Sequence, residues 1–267
     1  MEIGRGMNGR CALVLLALLL CVSGLDAGEE GGHFRRYLAS YPLSVKEAAT
    51  APARWQAKEW VTAGGVALVA GSLIWADLQI RGFAQDNRTS QGDAFLDIFA
   101  YTGDKWVLFP AAGATALAGW ATGSDKTTDT GLLCLKSMLM TAVATEGLKL
   151  ATQRQGPGAE NDGSFWPEGG FSLENGSFPS GHSAMAWSVA PVLAEQYSDQ
   201  TWVTPLVYSV AVLSSLSRVN ADEHWASDVF CGAVIGYLAA RLTLNSTPRL
   251  ALKPAPELNG ISLGLSF

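Results

Sequence analysis

The chain has 267 residues, 48% of them hydrophobic and 16% charged, with a formal net charge of -6 and a pI near 5.1. Ordinary soluble domains carry about 25% charged residues, so this composition excludes an intrinsically disordered chain and sets the protein apart from a plain cytosolic globule. The acidic balance also argues against a nucleic-acid partner, which would be met by a basic surface.

The N-terminus places Arg5 and Arg10 ahead of an apolar run from Cys11 to Val22, followed by Ser23 and Gly24. That order of basic, apolar and small residues predicts a signal peptide over residues 1–27, cleaved near Gly24 or Ala27. The run is short of the roughly 20 residues that span a bilayer, and an uncleaved N-terminal anchor is the alternative. Residues 28–59 read as a polar segment of short or interfacial helices, broken at Pro42 and Pro52. His33 lies there among glycines and reads as an exposed loop histidine.

Residues 60–245 hold six apolar segments: Val61–Ala76, Trp106–Gly123, Gly131–Leu148, Ser183–Ala194, Trp202–Leu216 and Val229–Leu242. None alternates with period two, so they predict helices rather than strands. The fold class expected is all-α, a six-helix bundle embedded in a membrane. Trp60 and Trp75 bracket the first segment, and Trp106 and Trp120 the second. At 1.5 Å per residue these pairs sit roughly 21–23 Å apart, as aromatic belts at two interfaces would. The competing reading is a soluble helical core filled by tryptophans. Asp93–Tyr101 is a short amphipathic piece, and Gln153–Phe178 is the longest irregular stretch, a length usually reserved for functional loops. Cys134 and Cys231 lie inside apolar runs and read as buried packing thiols. The tail, residues 246–267, carries three prolines and ends on Gly260–Phe267, which alternates like a single strand.

Unusual residues concentrate in three places. Lys149 to Pro157, with Arg154, closes the third segment; Phe178-Pro179-Ser180-Gly181-His182-Ser183 opens the fourth; Ser217-Arg218 to His224 and Asp228 links the fifth to the sixth. In an up-down bundle these four helix ends share one end of the molecule. The chemistry there suits a phosphate. A helix opening at Ser180-Gly181 offers free N–H groups to an anion. Lys149 supplies a point charge and Arg218 a planar fork. Asp228 stands four residues after His224, on the same helical face, and can fix its tautomer. His224 is then available as nucleophile and His182 as general acid. Each element alone would be an ordinary helix pair, cap or turn; their joint occurrence at one end points to a site.

Pro179-Ser180-Gly181-His182 and Ser217-Arg218…His224…Asp228 resemble the signature of the type 2 phosphatidic acid phosphatase and vanadium haloperoxidase superfamily. The resemblance covers most of residues 95–242. The first family motif, Lys-x6-Arg-Pro, is met by Lys149 and Pro157, but Gly156 stands at the arginine position and Arg154 lies two residues earlier. On a continuous helix Lys149 and Arg154 would be about 140° apart. Because Gly156-Pro157 ends the helix, Arg154 is expected to swing in and cover the missing charge. The resemblance implies metal-independent hydrolysis of a phosphomonoester or diphosphate through a phosphohistidine, with no cofactor. It implies phosphate binding by Lys149, Arg154, Ser180, Gly181 and Arg218, attack by His224, proton donation by His182, and orientation of His224 by Asp228. The partners expected are a membrane and a phosphorylated lipid or other phosphate ester. The alternatives are an exported soluble acid phosphatase of broad specificity and, in another class, a non-catalytic membrane protein that binds lipid phosphates.

The basic residues of the N-terminal segment, with Arg241, Arg249 and Lys253, favour a site on the non-cytoplasmic side of the membrane. A cleaved signal peptide followed by six spanning helices would instead put the site inside, so these two expectations pull apart.

Overall fold

The computed structural model describes residues 31–158, 163–166 and 176–247. The predicted signal peptide and the strand-like end of the tail lie outside them. Among the described residues eight α-helices run in the order α1 Gly31–Thr50, α2 Ala57–Asp86, α3 Ser90–Ala100, α4 Lys105–Thr122, α5 Asp125–Thr152, α6 Gly181–Gln196, α7 Val203–Asn220 and α8 Ala226–Ser246. Short 3-10 turns cover Ala51–Arg54 and Tyr101–Gly103, and no strand occurs among the described residues.

The six apolar segments are α2 and α4 to α8, and the amphipathic piece is α3. Local chemistry explains several starts. Thr89 Oγ1 accepts from Gly92 N at the head of α3, and Asp104 Oδ1 accepts from Trp106 N at the head of α4. Two elements differ from expectation. Helix α1 runs through Pro42 instead of breaking there. Packing outweighs the lost backbone bond: Tyr37 is buried and its hydroxyl donates to Leu132 O, while the hydroxyls of Ser44 and Ser246 pair at 2.6 Å. Helix α2 continues past Ala76 to Asp86, because the polar residues that end the apolar run have partners. Arg81 forks onto Asp222, and Gln85 donates to the carbonyls of Val219 and Asn220.

The core lies between α5, α6 and α8 around Met138, Val192, Met185 and Ala240. Helices α6 and α8 approach as closely as backbone allows. A Cβ at Gly236 would run into the Ala184 carbonyl, and one at Gly232 into the Ser180 carbonyl. This approach holds the starts of α6 and α8 side by side. Cys134 is buried, Cys231 half-buried, and both are free thiols.

Helices α2, α5 and α8 are long and apolar enough to cross a membrane by length and composition. Among the described residues these three meet that measure, in keeping with apolar segments of which some are long enough to span and some marginal. Helix α6, for example, has 16 residues, about 24 Å of rise against a hydrocarbon core of about 30 Å. Only 6% of the apolar window of α2 is buried, and Trp75 on it is 80% exposed. Trp60, Trp106 and Trp120 are also exposed. Tryptophans filling a soluble core would be buried, so their placement agrees with interfacial belts instead.

Candidate active site

The four helix ends meet as the topology requires. Ser180 N donates to Asp228 O at 2.9 Å, which fixes the start of α6 against the first turn of α8. The Lys149 ammonium lies 3.7 Å from the point where a Cβ at Gly181 would stand. Gly181 thus leaves a lane between the end of α5 and the N-terminus of α6. Ser180 is fully buried and its Oγ has no hydrogen-bond partner among the described residues. An orphaned hydroxyl at a helix start, beside a lysine, is a donor held ready for an anion.

A cavity of about 250 Å³ opens on this end, lined by His182 and Arg218 together with Asp97, Ala100, Tyr101 and Asp104. Arg218 is 6% exposed; its Nη1 donates to Glu223 Oε2 at 2.7 Å and its Nε to Ser217 Oγ at 3.2 Å. Burial, and then the neighbouring Arg218 charge, hold the His182 imidazole below the usual histidine range, while Asp104 pulls the other way.

Asp228 is fully buried and accepts from three donors. Arg154 Nη1 reaches its Oδ1 at 2.6 Å, and Ser177 Oγ and Trp225 N reach its Oδ2 at 2.5 and 3.1 Å. The direct pairing with His224 expected from the four-residue spacing is stretched to 3.7 Å. Ser177 fills the gap, its Oγ lying 3.3 Å from His224 Nδ1.

The expectation that Arg154 covers the phosphate charge does not match its position. Its side chain is 2% exposed and makes four hydrogen bonds among the described residues. Nε donates to Gly163 O, Nη1 to Ser227 Oγ and Asp228, and Nη2 to Asp77 Oδ2 at 2.7 Å. The guanidinium also lies over the rings of Phe165 and Trp225. The backbone ending α5 turns Arg154 in behind Asp228, where two buried carboxylates attract it more strongly than an open cavity would. Gly163, at φ 74°, sits where a Cβ would strike the Trp225 ring, so only glycine brings its carbonyl to Arg154. A Cβ at Gly156 would find ordinary contact distances, with Glu223 O at 3.6 Å and Ser177 Oγ at 3.7 Å, so the backbone there does not require glycine.

Asp77 was invisible as a site residue because it sits one position beyond an apolar run. A carboxylate directly after an uncharged apolar run was the available signal. It is 3% exposed and accepts from Ser227 N and Ser227 Oγ as well as Arg154. Ser177 gave no signal beyond its closeness to Pro179-Ser180-Gly181-His182. Among the described residues no cluster of three metal-ligand side chains occurs.

Residues 130–251 match the PAP2 superfamily profile. A lipid A 1-phosphatase of Porphyromonas gingivalis is 40% identical over 67 residues, 25% of this chain and 15% of that protein. An acid phosphatase of Zymomonas mobilis subsp. mobilis is 36% identical over 69 residues, 25% of each chain. The aligned stretches therefore span a quarter or less of these relatives. Among solved structures, a PAP2 type phosphatidylglycerolphosphate phosphatase from Bacillus subtilis aligns with a TM-score of 0.54 at 24% identity, over 68% of this chain and 93% of that one. Aquifex aeolicus LpxE aligns with a TM-score of 0.49 at 24% identity, over 63% of this chain and 94% of that one.

Proposed function

We propose that this chain, whose residues 130–251 match the PAP2 superfamily profile, is a member of that superfamily and a membrane phosphatase that hydrolyses a lipid phosphomonoester or diphosphate. The observation that carries the reading is the buried, unpartnered Ser180 hydroxyl at the start of α6, with the Lys149 ammonium near Gly181 and His182 two residues on. The exposed apolar face of α2 supports a lipid substrate, whose tail would stay in the bilayer while its phosphate enters the cavity.

In this reading Lys149, Ser180, the N–H groups at Gly181 and Arg218 hold the phosphate. Glu223 yields its grip on Arg218 to the more highly charged ligand. Nε2 of His224 attacks phosphorus as the bond to the leaving oxygen breaks, and His182 gives that oxygen a proton. Water then attacks the phosphohistidine, with His182 taking the proton back. Arg154 acts through Asp228 rather than on the phosphate. The chemistry asks nothing of a metal ion. We place the site on the non-cytoplasmic side, following the basic residues at the opposite end.

The test is phosphate release in detergent with EDTA, from phosphatidic acid, phosphatidylglycerol phosphate, a polyprenyl diphosphate, a phosphorylated lipid A and p-nitrophenyl phosphate. Hydrolysis of a lipid in preference to p-nitrophenyl phosphate supports the reading. Preference for the soluble ester favours a broad acid phosphatase, and binding without turnover favours a non-catalytic phosphate binder. Labelling of a single cysteine placed at Glu223 by an impermeant thiol reagent in intact cells tests the orientation.

A further inference from the structure

We propose that Ser177 is a positioning residue for the nucleophile, a hydroxyl relay inserted between His224 and Asp228 that fixes which nitrogen of the imidazole is free to attack. The proposal rests on the phosphatase reading for its kinetic consequence but not for its geometry.

The argument is one of donors and acceptors. Asp228 is held in a buried ion pair with Arg154, so its carboxylate can only accept. Ser177 Oγ lies 2.5 Å from Asp228 Oδ2, and the hydroxyl's single proton is therefore spent on that bond. Toward His224 Nδ1, at 3.3 Å, the same oxygen has only lone pairs to offer. A contact between two acceptors would be repulsive, so Nδ1 carries the proton and Nε2 carries the lone pair. Asp228 does not do this directly. It stands 3.7 Å from Nδ1, with Oδ1 taken by Arg154 and Oδ2 shared by Ser177 and the Trp225 amide.

Ser177 is itself fixed. It is 7% exposed, and its backbone N–H donates to Arg154 O at 2.9 Å. The chain that follows leads through Phe178 and Pro179 directly into Ser180, so one short stretch sets both the phosphate hydroxyl and the relay. During attack no proton travels along the relay. The P–N bond forms at Nε2, the P–O bond breaks, and the leaving oxygen takes its proton from His182. The positive charge that appears on His224 is felt by Asp228 through the Ser177 dipole, already aligned for it.

The experiment is nitrogen-15 NMR of histidine-labelled full-length protein in detergent, with His224→Ala identifying the signal. Wild type should display His224 as the Nδ1-protonated tautomer. Ser177→Ala should shift it to a mixture containing the Nε2-protonated form, and Ser177→Thr, which keeps the hydroxyl, should restore it. In parallel, Ser177→Ala should lower kcat on the order of 10- to 100-fold, by analogy with the partners that orient metal-ligating histidines, with KM within about twofold. A wild-type His224 protonated at Nε2 overturns the proposal, as does a Ser177→Ala spectrum identical to wild type. The spectra do not depend on turnover, so an inactive wild type would sink the phosphatase reading while the relay is still decided by the tautomer.

Discussion

Arg154→Ala separates two roles for the one arginine of the first motif, because they have opposite signatures. The guanidinium is 2% exposed and joins Asp77 and Asp228, themselves 3% and 0% exposed. Removing it leaves two carboxylates buried together without a counter-charge. Breaking a buried pair by deleting one partner costs about 3–5 kcal/mol. For a chain of this size each kcal/mol moves the melting temperature roughly 2–4 °C, so the drop should be roughly 6–20 °C. Loss of activity should follow as loss of kcat, since Asp228 loses the partner that fixes it behind Ser177 and His224. A phosphate ligand would behave otherwise. It would contribute a charge-assisted bond only when substrate is bound, and its removal would raise KM roughly 10- to 100-fold without touching the fold. The assays are thermal unfolding in detergent without ligand, and steady-state kinetics on the survivor. An Arg154→Ala protein that melts within 2 °C of wild type and loses only KM would refute the network.

Asp77→Asn keeps the shape but loses the charge, while Arg154 retains Asp228; melting should fall by less than in Arg154→Ala, with kcat reduced and KM little changed. Gly156→Arg supplies the cation that the Lys-x6-Arg-Pro pattern has there, at a position where a Cβ meets only ordinary contacts, and should lower KM for a phosphorylated lipid at unchanged melting temperature. Burial and Arg218 depress His182, so its protonated, acid-competent form is lost as pH rises through a value below about 6.5. The alkaline limb of kcat/KM should fall there, and Asp104→Asn, which removes a charge favouring protonation, should move it to still lower pH. Gly236→Val would drive a side chain into the Ala184 carbonyl and should cost about 1–3 kcal/mol, read as a lower melting temperature.

The bundle and the meeting of Lys149, Ser180, His182, Arg218, His224 and Asp228 at one end were legible because helix periodicity and connection order are local properties of the chain. The partners of those groups were not. The four-residue spacing of His224 and Asp228 implies one helical face, but α8 begins only at Ala226, so His224 stands on the turn before it, and its link to Asp228 depends on Ser177 and Arg154, which arrive from another segment. Arg154 was readable as basic and near, but its direction is decided by Asp77, a residue some 77 positions away in sequence. Helix α1 defeated the proline rule because Tyr37 and Ser44 anchor it tertiarily. Apolar runs do not by themselves separate helices that face lipid from helices buried in the bundle, since buried packing and lipid contact favour the same residue types.

The central claim is tested most directly by phosphate release from the lipid panel in EDTA, comparing wild type with His224→Ala at matched folding. The account predicts turnover of at least one phosphorylated lipid by wild type, undiminished by EDTA and abolished in the variant. Turnover that survives in His224→Ala, or that disappears with EDTA, would contradict it.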